Sequence, residues 1–206
     1  MRHMPLSDAE RARVRDAVAS AEAKTAGEIF TVVAEQSDDY RFVPLLWAML
    51  AALVVPLPLI FLTLWPASLI FSAQLAGFAV LAIVLSLPPV KMAVVPASVK
   101  RDAVRAMAGH QFLAHGLTNT ERRTGVLIFV SLVERQAEII ADTGIAAKVS
   151  ADVWQAAMDQ LLAEVRAGRL ADGLIAAARI SGKVLADHFP PRPDDRDELP
   201  DDVVIL

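Results

Sequence analysis

Residues 42–90 read FVPLLWAMLAALVVPLPLIFLTLWPASLIFSAQLAGFAVLAIVLSLPPV and contain no Asp, Glu, Lys, Arg or His. A globular core helix rarely sustains so long an apolar run, whereas about 20 apolar residues cross the hydrocarbon of a bilayer, so the stretch has the length of two crossings. The first is expected over about Val43–Leu64 and the second over about Ala67–Leu87, with Trp65-Pro66-Ala67-Ser68 as the turn. Trp47 and Trp65 stand near opposite ends of the first crossing, and indoles favour the headgroup layer. Pro56 and Pro58 remove backbone donors and predict a kink. The alternative, a buried helical pair in a soluble protein, asks for more core than a chain of 206 residues provides.

Outward from the hairpin, the flanking charges are lopsided. Arg41 precedes it and Lys91, Lys100, Arg101 and Arg105 follow it, while the turn carries none. Lys and Arg are retained on the cytoplasmic side of short loops, so a two-pass protein of the inner (plasma) membrane is expected, with both termini and the soluble part cytoplasmic. The chain divides into residues 1–41, the first part of a soluble domain; 42–90, the transmembrane hairpin; 91–189, the second part; and 190–206, an acidic Pro-rich tail expected to be mobile. About 155 residues outside the hairpin suffice for one domain with a core. A net charge of -4 gives no basic face for nucleic acid. The absence of cysteine excludes disulfides, thiolate metal sites and Cys nucleophiles. Met1–Arg15 lacks the apolar core of a secretory signal.

Ser7-Asp8-Ala9-Glu10 is a capping box opening a helix to about Lys24, with Leu6, Val14, Val18 and Ala21 as its apolar stripe. Glu28–Ala34 (EIFTVVA) reads as a buried strand. After the hairpin, Ser98 can cap a helix to about His115; Gly125–Leu132 (GVLIFVSL) and Ala137–Ala141 (AEIIA) are strands. The short Glu134-Arg135-Gln136 connection permits only antiparallel pairing of those two. Helices are expected from Ser150 to Ala167 and from about Asp172 to His188, separated by Gly168.

This order of elements, with GVLIFVSL followed by Glu134-Arg135, then Glu138-Ile139-Ile140-Ala141-Asp142-Thr143-Gly144, and Gly168-Arg169-Leu170-Ala171-Asp172-Gly173-Leu174 between the last two helices, resembles the TPM domain family of thylakoid lumen and photosystem repair type. The resemblance runs from about Pro5 to Phe189, interrupted by the hairpin. It implies an α/β fold, a small mixed sheet in an α-β-α sandwich, here with a two-helix transmembrane hairpin inserted. Some plant and bacterial members of that family are described as acid phosphatases or as binding a divalent metal, so the resemblance also implies weak metal-dependent hydrolysis as an activity of the fold.

The topology predicts two candidate sites. Parallel pairing of the first two strands puts the Glu134-Arg135 turn beside the exit to the membrane. There Arg41, Lys91, Lys100, Arg101 and Arg135 form either a basic collar on anionic headgroups or simply topology-setting charges. The opposite edge collects Glu28, Arg123, Asp142 and Asp152, with Arg122 and Thr124 adjacent. Carboxylates there either hold Ca²⁺ or Mg²⁺ through oxygen, with arginine orienting a phosphate ester, or order a turn and a helix N-terminus. The chain contains no P-loop, no G-x-S-x-G and no H-E-x-x-H. His110 and His115 do not share a helical face, and Gln74 is the one strongly polar side chain in the crossings, so no transport path is read. The function expected is an integral inner-membrane protein presenting its domain as an interaction, assembly or quality-control module. Its partners are the lipid bilayer and other integral membrane proteins, with no nucleic acid; the alternative is a weak metal-dependent acid phosphatase.

Overall fold

The structure, a computed structural model, describes residues 6–120, 122–191 and 198–206. It divides into two compact units, Met1–Ser37 with Arg101–Leu206, and Asp38–Lys100.

The first unit is a mixed α/β fold around a four-stranded sheet. Its strands are β1 (Glu28–Ala34), β2 (Gly125–Ser131), β3 (Gln136–Ala141) and β4 (Val204–Ile205), in the order β3-β2-β1-β4. β1 runs parallel to β2 with Glu28 opposite Gly125, and β2 runs antiparallel to β3 with Val126 opposite Ala141. Both β1 and β2 are buried at every position, which is why they read as continuous apolar runs rather than as an alternation.

Side-chain alternation then sorts their residues between two layers. Ile29, Val33, Val126, Ile128 and Val130 pack with α1 (Asp8–Glu22), α8 (Ala151–Arg166) and α9 (Leu170–His188). Phe30, Val32, Leu127 and Phe129 pack with Val104, Ala108 and Phe112 of α6 (Ala97–Ala114).

The expected α1 stripe is the one observed: Leu6, Val14, Val18 and Ala21 are buried. The capping box is closed, Glu10 N–H donating to Ser7 Oγ at 3.3 Å and Ser7 N–H to Glu10 Oε2 at 2.9 Å. α1 and α9 touch where Gly182 meets Ala21; a Cβ on Gly182 would lie 2.5 Å from the Ala21 Cβ, so only glycine permits that approach.

Two expectations are corrected. Ser98 is not the cap of α6, which begins at Ala97 directly after Pro96. Nor is the whole tail loose. Val203 is 2% exposed, and β4 pairs parallel to β1, with Leu206 N–H donating to Val33 O at 3.0 Å and Glu35 N–H to Leu206 O at 3.3 Å. The apolar ending Val203-Val204-Ile205-Leu206 gains both burial and backbone pairing there, which outweighs the acidic composition before it. The middle of the expected tail, 192–197, lies outside the described residues.

The second unit holds α2 (Phe42–Val54), α3 (Pro56–Leu62), α4 (Ala67–Ser86) and α5 (Pro88–Val94). Val55, between α2 and α3, keeps helical φ/ψ and donates to Ala51 O at 3.2 Å, and the ladder loses donors at Pro56 and Pro58, where the kink is expected. Small Ala48 and Ala52 are buried where α2 packs on α4, as close helix approach requires. Pro88 and Pro89 fall at the first positions of α5, where a missing N–H costs no helical bond. Trp47 Nε1 donates to Val94 O at 3.3 Å and Lys91 Nζ to Asp39 O at 2.9 Å. The helical stretches Phe42–Leu62 and Ala67–Ser86 are long and apolar enough to cross a membrane by length and composition.

Candidate functional site

At the N-terminal end of β1, three strands bring Glu28, Gly125 and Asp142 into one row. Glu28 N–H donates to Thr124 O at 3.1 Å, and Asp142 N–H to Gly125 O at 2.9 Å. The backbones of Glu28 and Asp142 are thus two strand spacings apart, on either side of Gly125. Both carboxylates are buried. Asp142 caps the short α7 (Thr143–Ala146), its Oδ1 accepting from Thr143 N–H at 2.6 Å and from Thr143 Oγ1 at 3.2 Å. Its Oδ2 is buried without a hydrogen-bond partner among the described residues. Glu28 Oε1 accepts from Glu198 N–H at 3.4 Å.

Arg123 and Asp152 are exposed, Arg123 in the loop before β2 with φ 59° and Asp152 in the first turn of α8. The structure therefore joins Glu28 and Asp142 at one edge without gathering the four residues into a ligand set. Among the described residues no three His, Asp or Glu side chains converge to hold a metal. Ca²⁺ and Mg²⁺ need about six oxygens at about 2.0–2.6 Å. The donor set does not fit such an ion, and no metal-dependent step follows from it.

At the other end of the sheet, the turn after β2 closes onto the exit from β1, as parallel pairing predicts. Glu134 is buried; its Oε1 accepts from Ser37 N–H at 3.0 Å and its Oε2 from Ser131 Oγ at 2.5 Å, while Ser37 Oγ donates to Ser131 Oγ at 2.9 Å. Glu134, not Arg135, is the structural tie, and Arg135 is exposed at φ 53°. Of the other expected collar residues, Arg101 is exposed in this unit. Arg41, Lys91 and Lys100 lie in the hairpin unit, where Arg41 pairs with Asp39 at 2.7 Å and Lys100 Nζ donates to Met92 O at 2.6 Å.

Sequence reasoning missed a third cluster. Glu22 ends α1, and its Oε1 accepts from Ile29 N–H at 2.6 Å, filling the outward donor of β1 below the reach of β4. Burial pushes the Glu22 carboxyl up to about 9; the Ile29 bond opposes this, while a shared hydrogen bond with Asp201 and the charge of Glu28 add to it. A lone Glu in the last turn of a helix carries no signal of this; the apolar Val203–Leu206 ending was the one available hint that Asp201 is held against the domain.

Set beside solved proteins, a mixed sheet with helices on both faces has a counterpart in the NMR structure of BA42 protein from the psychrophilic bacterium Bizionia argentinensis sp. nov. The likeness has a TM-score of 0.64 at 21% identity, covering 100% of this chain and 99% of that one, and is a likeness of fold. Residues 89–184 match the family model described as the TPM domain, a similarity that spans just under half of the chain. No curated protein matches this chain.

Proposed function

We propose that the chain is a two-pass integral inner-membrane protein that presents its TPM domain on the cytoplasmic side as an interaction, assembly or quality-control module for other membrane proteins. One observation carries the anchor: the two apolar helical stretches are 11% and 0% buried, with Phe61, Leu62 and Leu64 each more than four-fifths exposed. A soluble monomer rarely exposes a contiguous apolar patch beyond a few hundred Å², so these faces call for lipid or protein around them. Lys and Arg on the flanks and none in the turn favour cytoplasmic termini. Of the expected basic collar, Arg41, Lys91, Lys100 and Arg135 belong to the same proposal, adding about 1 kcal/mol each where they reach anionic headgroups, whereas Arg101 lines the cavity beside β3.

Affinity purification from membranes in mild detergent tests the module. A reproducible integral-membrane partner is the expected result, and recovery of the bare chain in repeated preparations contradicts it. The hydrolase alternative is tested at Asp142. With Asp142 serving as a helix cap, Asp142→Ala is expected to cost about 1 kcal/mol, read by thermal unfolding, with the same loss in the presence and absence of millimolar Ca²⁺ or Mg²⁺. A metal-dependent rise in Tm that Asp142→Asn abolishes, together with hydrolysis of a generic phosphate ester, favours the hydrolase instead.

A further inference from the structure

The two edges of the sheet are treated differently. On the β1 side, Glu22 takes the outward N–H of Ile29, and β4 with Leu206 pairs the edge from Val32 to Glu35. On the β3 side no described strand is paired. The register identifies the groups left over. Because Asp142 N–H donates to Gly125 O, residues 140, 138 and 136 share the bonded phase of the antiparallel ladder. Ala137, Ile139 and Ala141 therefore turn their N–H and C=O groups away from β2.

This edge forms one wall of a cavity of about 230 Å³ between α6 and α8, lined by Arg101, Val104 and Arg105 on one side and by Gln155, Met158 and Leu162 on the other. Natural proteins blunt open edges with charge, and β3 has one such device, Glu138 paired with Arg105 at 3.2 Å. Arg101, exposed on the same wall, makes no hydrogen bond or ion pair among the described residues.

We propose that the β3 edge and the flanking α6–α8 groove bind an extended peptide segment by strand addition, with an acidic side chain toward Arg101 and apolar side chains toward Met158 and Leu162. The backbone supplies affinity and the alternation supplies selectivity. Successive residues of an added strand point to opposite faces, so an apolar–acidic–apolar order places the acid on the α6 side and both apolar groups on the α8 side. A second copy of β3 fits less well. Its one acidic side chain is already held by its own Arg105, and it brings its own α6 and α8 up against those that flank the groove. The inference rests on the module reading and names the class of partner, a flexible acidic segment of another protein.

The test uses the full chain in detergent micelles and the fluorescein-labelled peptide Thr-Val-Glu-Val-Thr, acetylated and amidated, followed by anisotropy. Saturable binding is expected, weakened about tenfold by Glu→Gln in the peptide or by Arg101→Ala in the protein, as for a hydrogen bond to a charged group. N-methylation of one alternate set of peptide amides should abolish binding and of the other set should not. Exchange of the Ala137, Ile139 and Ala141 amides should slow in the complex. Equal tolerance of both methylation patterns, no saturable binding up to millimolar peptide, or doubling of the protein mass with those amides protected in the absence of peptide would each overturn the proposal. Arg101 is exposed, so its variant is expected to melt like the parent. Loss of peptide binding with intact membrane attachment separates failure here from failure of the anchored-module reading.

Discussion

Glu22→Gln is expected to make the domain more stable than the parent at pH 8, by the order of a few kcal/mol, and to be near neutral at pH 4. Burial holds the Glu22 carboxyl at about 9 in the folded chain, against an ordinary 4.5. Between those values the folded state keeps a proton that the unfolded state has released. Stability from this group is therefore complete below about pH 4.5 and declines as pH rises through 9, at up to about 1.4 kcal/mol per unit. Glutamine keeps the acceptor for Ile29 N–H and offers Asp201 an N–H in place of the shared proton. Urea unfolding from pH 4 to pH 9 should show a falling curve for the parent and a flatter one for Glu22→Gln. Parallel curves would mean that Glu22 is ionised in the fold.

Gly144→Ala should be among the most damaging single substitutions, costing about 3 kcal/mol. A Cβ on Gly144 would lie 2.6 Å from both Arg122 O and Arg123 O, atoms of the backbone that cannot swing aside as a side chain can. That loop already holds Arg123 at φ 59°, and the Asp142 cap fixes α7 from the other side. Relief would have to come from the β2 approach itself. Thermal unfolding of the full chain in detergent would measure the loss; a Tm within a degree of the parent would show that the loop yields freely.

This contrast explains what could be read in advance. GVLIFVSL and EIFTVVA announce themselves because strands buried on both faces need no polar alternation, and their parallel register then fixes which loops share an edge. Pro56 divides the first apolar stretch into α2 and α3 through chemistry local to the chain. β4 was not legible, because two strand residues after a Pro-rich acidic run depend wholly on the edge of β1 to receive them. Glu28, Asp142 and Asp152 could be read either as one ligand set or as a turn and a helix N-terminus, because sequence places them at a common edge without giving the exposure of Asp152 or the Thr143 N–H bond that engages Asp142. The role of Glu134 over Arg135 likewise follows from Ser37 and Ser131, which only the fold brings near.

Whether the hairpin crosses a membrane with the sheet-bearing unit on the inner side can be measured directly. The chain has no cysteine, so single cysteines introduced at Ser68, beside the turn, and at Ser150, before α8, report their own exposure. In intact cells an impermeant maleimide is expected to label Ser68→Cys and to reach Ser150→Cys only after lysis. Labelling of Ser150→Cys in intact cells with Ser68→Cys protected, or recovery of the chain in the soluble fraction, would contradict it.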